Sequence, residues 1–474
     1  MQTMTPTRAG SATAAATPAV TQALARFACT ARGDTMSPAV RHEALRALLN
    51  WAGCAIGASR HPTVGRALAA IAPFAGARQA TVLGRGDELD VPHAALLNGM
   101  ASHTFDFDDT HLRTVIHPAG PVASAIMALA EYEPTAGPAF IDAFVVGVEV
   151  ECRIGNAVYP SHYDVGWHIT GTAGVFGAAA AAGRLLDLDE QRMTYALGIA
   201  ATTSSGLREM FGSMCKPLHP GWAAKNGLYA AFLAREGFTS AAQPIEGRRG
   251  FANVLATERD YAQITERLGE TWELLENTYK PFACGIVIHP VIDGVIQLRN
   301  EHTLKAADVA SIAVDVHPLV LELTGKPRPQ VGLEGKFSVY HSAAVAIIDG
   351  AAGETQYSDA RVRDPEVVAL RDRVKATVDR ALHEDAGRIR ITLRDGRVLE
   401  RFVEHAIGSL ARPMTDAGLE DKFRGLVIPV LGEPAAARLL DALWRLDSSE
   451  EVAALPPLCV PGAPTIERAA RRAD

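Results

Sequence analysis

The sequence predicts a mainly α protein: a large helical body, with a smaller α+β unit at about residues 276–405. Three observations predict it. Apolar residues recur at helical spacing through most of the first ~275 residues. After about Lys280 the texture turns to β-branched, alternating stretches, and from about Ala417 to Trp444 it turns helical again. No internal repeat of fixed period runs through the chain.

Taken in order, the chain opens on Thr, Ala, Ser and Pro from Met1 to about Val20, with one arginine, Arg8. This stretch is acid-poor but not Arg-rich, so residues 1–22 read as a disordered tail rather than a transit peptide. Ser37-Pro38 is an N-cap followed by an N1 proline, and Leu45, Leu48, Leu49 and Ala52 give the following segment, Ala39 to Ile56, one apolar face. Further helices are expected at Val91–Ser102, Gly120–Glu131, Ala139–Val158, Gly171–Leu186, Thr194–Gly206 and Gly221–Glu236. Gly171–Leu186 is apolar on nearly all sides and crowded with Ala and Gly, so it should be buried among close neighbours. Ser311–Val316 alternates as a strand, and Arg388–Leu393 and Arg397–Val403 flank an Asp395-Gly396 turn as a hairpin. Helices at Ser338–Asp349 and Pro365–Val374 interrupt this region. The helices of Ala417–Trp444 should pack back on residues 23–275, so that 406–455 completes the body. Pro456–Asp474 is Pro-rich, then basic, and reads as a second tail.

Composition excludes several function classes. With 46 Lys+Arg against 54 Asp+Glu the net charge is −8, which argues against a general nucleic-acid binder. No apolar run approaches the ~20 residues of a membrane span. The six cysteines form no CxxC pair, which argues against a zinc knuckle or an iron–sulfur run and fits a reducing, cytoplasmic setting. Neither GxGxxG after a strand nor GxxxxGK[ST] is present.

Four constellations carry chemistry. The densest is His103-Thr104-Phe105-Asp106-Phe107-Asp108-Asp109-Thr110-His111, with His117-Pro118 just beyond. These residue types suit acid–base catalysis, a metal site or a capped helix end. If the preceding helix runs on, Asp106 and Thr110 share a face. Second, His168 stands directly before the Ala/Gly helix, where the helix dipole would lower its pKa and leave it a neutral base. Third, Lys216 and His219 flank a proline-fixed turn that opens a helix, a corner suited to a carboxylate. Fourth, Lys280 lies at the junction of body and α+β unit, where ligand sites are common.

In this order, the blocks His103–His117, Gly166–Ala182, Gly212–Asn226, Tyr279–His289 and Gly335–Gly350 resemble the MmgE/PrpD family over about residues 25–450. That family holds 2-methylcitrate dehydratases, cis-aconitate decarboxylases and iminodisuccinate epimerases. The resemblance implies a helical domain built from both ends of the chain, an inserted α+β lid, a homodimer, and no metal or organic cofactor. It implies roles for Asp106, His117, His168, Lys216 and Lys280 in catalysis, and for Thr110, His111 and His219 in substrate binding. The expected chemistry is proton removal next to a carboxylate of a small di- or tricarboxylate, with the cations holding the carboxylates. A hydro-lyase is the leading expectation, which the 2-methylcitrate branch would place in propionate metabolism. An epimerase or decarboxylase comes second, and a non-catalytic relative last. The decarboxylase branch carries a tyrosine on a lid strand. Here the matching stretch, Val316-His317-Pro318-Leu319-Val320-Leu321-Glu322, has none, which argues against decarboxylation.

Overall fold

A computed structural model describes residues 19–462. The helices fall close to where the spacing predicts them: Pro38–Ala58, Val91–Thr104, Ala119–Ala130, Gly137–Val158, Ile169–Leu185, Glu190–Thr202 and Leu218–Arg235. Ser37 caps the first of these by accepting from the Val40 N–H, with Pro38 at the first helical position.

The Ile169–Leu185 helix lies at the centre, buried at every residue from Ile169 to Gly183. It packs against Gly137–Val158, Ala119–Ala130 and Leu218–Arg235. Small residues set these distances. A Cβ at Gly227 would lie 2.5 Å from the Ala178 Cβ and 2.8 Å from the Ala179 backbone nitrogen, and one at Gly99 would lie 2.9 Å from the Gly221 Cα. Backbones this close leave no room for rings, which accounts for an aromatic content of 6%.

Two short antiparallel pairs join the body: β1 (Ala80–Thr81) with β2 (Glu88–Leu89), and β3 (Asp109–His111) with β4 (Asn277–Tyr279). A four-stranded sheet has the order β6 (Val374–Val378), β5 (Val309–Val316), β7 (Gly387–Leu393), β8 (Val398–Val403). β5 runs parallel to β6 and antiparallel to β7. β7 and β8 form the expected hairpin, turning through Gly396 at φ +91°. The helix His289–His302 packs on β7 and β8, and Val339–Ile348 packs on that helix and on β6. The last helices, Asp416–Leu431 and Glu433–Trp444, lie against Pro38–Ala58.

Several expectations need correcting. The first helix, Val20–Thr30, begins inside the segment read as a tail, with Val20 and Leu24 fully buried. Residues 456–459 form a 3-10 turn with Cys459 buried, so the second tail cannot begin at Pro456. The rest of both predicted tails, 1–18 and 463–474, lies outside the described residues. Val374 opens β6 rather than ending a helix, which stops at Arg371. β4, placed with the α+β unit, hydrogen-bonds to β3 of the body. Conversely, Cys54, Ala58, Phe105, Phe107 and Leu426 of the helical segments join the apolar core under the sheet. The two parts therefore share buried surface.

Gly227→Val should cost about 1–3 kcal/mol of stability, because the atoms it would meet include the Ala178–Ala179 backbone, which cannot yield. Urea denaturation against wild type measures it.

Candidate active site

The helix Val91–Thr104 ends one residue before Phe105, and Asp106 takes the left-handed backbone at φ +51°. Thr110 then lies in β3. Asp106 and Thr110 are therefore not on a continued helix, as the spacing suggested. The left-handed residue ends the helix and turns the chain. Aspartate tolerates this conformation better than most residues.

The turn is held from three sides. The carbonyl of Phe105 accepts from Lys336 Nζ at 2.8 Å, that of Asp106 from Lys280 Nζ at 3.1 Å, and that of Phe107 from Lys422 Nζ at 2.5 Å. Three consecutive carbonyls thus each meet an ammonium from a different segment. The Asp106 carboxylate meets two. Its Oδ1 accepts from Lys216 Nζ at 2.9 Å and from Lys280 Nζ at 2.8 Å, while Oδ2 has no partner among the described residues. Burial would raise this carboxyl's pKa, but the two ammoniums hold it well below the usual range. Lys216 is 6% exposed and Lys280 1%, which excludes ordinary surface lysines. Lys216 also lies over the rings of Phe211 and Phe337.

Four histidines stand beside these charges. His103 Nδ1 donates to Asp108 Oδ2 at 2.6 Å, leaving Nε2 buried and without a partner among the described residues. His117 Nδ1 donates to the Asp109 carbonyl at 2.6 Å and lies 3.6 Å from Asp108 Oδ1 and 3.3 Å from Thr110 Oγ1. A ring donating through Nδ1 carries its lone pair on Nε2. His168 caps the Ile169–Leu185 helix and shares a 2.8 Å Nδ1–Nδ1 hydrogen bond with His219. The rings of His103 and His117 are 4.7 Å apart, and those of His103 and His168 5.7 Å.

Burial, reinforced by neighbouring positive groups, lowers the His117 pKa to about 3, lowers His219 to about 4 and holds His168 well below 6.5. His168 is a neutral imidazole as expected, but burial leads the shift, followed by His219 and His103, rather than the helix dipole. His219 is likewise neutral, so the positive charge of that corner comes from Lys216. Asp109, raised to about 7 by burial and by Asp108, accepts from Asn277 Nδ2 and the Ala119 N–H.

His111 does not join the group. Thr114 Oγ1 occupies its Nδ1 at 2.7 Å and Glu273 its Nε2 at 3.0 Å. The other seven expected residues converge. Sequence reasoning did not single out His103 or Asp108 from their block, and passed over Lys422. Asp-Lys-Phe-Arg within an amphipathic helix gives no sign that the lysine turns inward.

The ring nitrogens of His103, His117 and His168 lie within 4.8 Å of one another, near enough for one cation. Lys216 and Lys280 oppose one there, since both carry positive charge beside the cluster and Asp106 already balances part of it. An anion fits better. Ammoniums beside neutral imidazoles can take up a carboxylate and move a proton from an adjacent carbon.

Residues 22–264 match the MmgE/PrpD N-terminal domain and residues 282–448 the MmgE/PrpD C-terminal domain. The chain is 28% identical to the cis-aconitate decarboxylase of Aspergillus terreus, over 92% of this chain and 95% of that protein. It is 28% identical to the cis-aconitate decarboxylase of Homo sapiens, over 79% and 81%. It is 25% identical to the 2-methylcitrate dehydratase of Cupriavidus necator, over 80% and 84%.

His117 also makes a linkage prediction. Its folded pKa of about 3 lies below its unfolded value near ~6.5, so unfolding takes up a proton between these limits and stability falls as pH drops through that window. His117→Gln should flatten the pH dependence of unfolding between pH ~6 and ~4 by up to ~1.4 kcal/mol per pH unit, measured by denaturant titration at each pH.

Proposed function

The chain belongs to the MmgE/PrpD family, and from that premise we propose that it is a cofactor-independent lyase of small di- or tricarboxylates, acting as a hydro-lyase. The observation that carries the proposal is the sharing of one Asp106 oxygen by Lys216 and Lys280 beside neutral imidazoles. A substrate carboxylate takes up the donor capacity of the two ammoniums, as Asp106 does in the free enzyme. Charge that develops on this carboxylate when the adjacent C–H loses its proton is stabilised by fixed cations in a site shut from water. His117, neutral and with its Nε2 lone pair free, acts as the base. His103, oriented by its bond to Asp108, delivers the proton to the departing hydroxyl. His168 and His219 complete the wall. The buried site opens when the α+β unit lifts as a lid.

Dehydration is preferred over decarboxylation on the 316–322 stretch. There His317 caps a short helix, Pro318–Thr324, and no phenol is available. The decarboxylase names of two relatives favour loss of carbon dioxide as the second reading.

Proton NMR in deuterated buffer with 2-methylcitrate, citrate and cis-aconitate separates these outcomes. Gain of a vinylic proton from citrate, its loss from cis-aconitate, or conversion of the 2-methylcitrate methyl doublet to a downfield allylic singlet, each without loss of carbon, supports the hydro-lyase, and carbon dioxide release supports the second reading. Absence of both turnover and deuterium exchange with every acid refutes the proposal. Lys216→Met and Lys280→Met should each lower kcat/KM about 100-fold or more.

The protein is also proposed to be a homodimer. The helix Leu218–Arg235 leaves Trp222, Tyr229 and Leu233 exposed along one face. Light scattering should give twice the 50.3 kDa chain mass, and Trp222→Asp with Tyr229→Asp should reduce it to one chain.

A further inference from the structure

Lys422 stands on the helix Asp416–Leu431, far in sequence from every residue of the site. Its side chain is half-buried, and the ammonium spends all three of its protons inside the fold. They go to Asn50 Oδ1 at 2.7 Å, to the Phe107 carbonyl at 2.5 Å and to the Lys280 carbonyl at 2.8 Å. The Nζ also lies 3.9 Å from the centre of the Phe107 ring. All three acceptors are neutral. Lys336, which holds the Phe105 carbonyl from the other side, instead has the Glu354 carboxylate at 2.6 Å as counter-ion. A charged group turned from water onto neutral partners is costly, and an apolar side chain packed there would avoid that cost. What the ammonium supplies that an apolar group cannot is a bridge between two backbones.

These two backbones carry the site. Phe107 follows Asp106, and the Lys280 side chain returns to the Asp106 carboxylate and carbonyl. Lys422 closes this circuit from the main-chain side. We infer that Lys422 is a positioning residue for the Asp106–Lys280 pair, fixing the spacing of the two segments by holding the carbonyls of Phe107 and Lys280 on one ammonium. Its catalytic consequence rests on the lyase reading above. A misplacement of ~1 Å in such a pair can cost ~100-fold in rate.

The bridge needs three N–H donors and is therefore pH-sensitive. Burial brings the Lys422 pKa down to about 8. The titratable and charged groups facing it are Cys54 on the Pro38–Ala58 helix, Asp108 and Asp109 after the turn, and Lys280. Loss of one proton leaves an amine with two donors for three acceptors, so turnover should fall on the alkaline side of about pH 8.

Hydrogen–deuterium exchange and steady-state kinetics on full-length wild type, Lys422→Met and Lys422→Arg test the inference. Lys422→Met should raise exchange about 10-fold in peptides spanning 104–109 and 278–282, leave 169–185 unchanged, and lower kcat about 100-fold with KM moved much less. Lys422→Arg should restore protection and most of kcat, and shift the alkaline limb upward. Unchanged exchange at both segments overturns the inference. So does raised exchange with wild-type kcat, or an alkaline limb that Lys422→Arg does not move. If wild type turns over none of the acids, the lyase reading fails, while the exchange comparison still decides the positioning role. Should Lys422→Met not fold, Lys422→Arg carries the test through the limb alone.

Discussion

Three consecutive carbonyls, those of Phe105, Asp106 and Phe107, each accept from a lysine supplied by a different part of the chain. Lys336 comes from the α+β unit, Lys280 from the junction and Lys422 from the last helical segment, while Lys216 reaches the Asp106 carboxylate from the body. The helix Val91–Thr104 cannot continue past Asp106, because a left-handed residue breaks its hydrogen-bond ladder. The lysines hold that break open in one geometry. Without them, a buried carboxylate and three exposed-end carbonyls would stand in an apolar interior, at a cost no local packing offsets. The charged turn is therefore both a constraint on how the segments assemble and the source of the site's electrostatics.

The histidines follow from the same arrangement. Positive charge beside them and burial around them keep His117, His168 and His219 neutral, while Asp108 is shared between His103 and His117. A protein of net charge −8 that handles an anion must gather its cations locally. Here they gather on one turn, and Asp106 keeps them company when no ligand is bound. The small-residue helices behind it, centred on Ile169–Leu185, give His168 a rigid footing.

Much of this was legible in the sequence, for physical reasons. Ser37-Pro38 marks a helix start because capping is local, and Asp395-Gly396 marks the hairpin because its backbone twist selects those residues. The Ala/Gly run of the central helix announces close packing. The clusters around Asp106, His168, Lys216 and Lys280 stand out because buried acid–base chemistry needs unusual residue types together. What stayed hidden depends on distance or backbone sign. The pairing of β3 with β4 joins segments separated by more than 160 residues, and no local pattern encodes it. The left-handed Asp106 is invisible to spacing rules that assume a helix runs on. His111 looks identical to its neighbours until Thr114 and Glu273 are seen to occupy both its nitrogens. Lys422 reads as a solvent-facing lysine until its helix is packed against Pro38–Ala58.

Lys216 and Lys280 are proposed to form one carboxylate-binding pair at the Asp106 turn, with the histidines facing the carbon beside that carboxylate. A crystal structure with cis-aconitate or citrate bound tests it most directly. A ligand carboxylate oxygen should lie within hydrogen-bond distance of both Nζ atoms, with His117 Nε2 turned toward the adjacent carbon. A ligand seated elsewhere, with Lys216 and Lys280 still engaged only by Asp106, would contradict it.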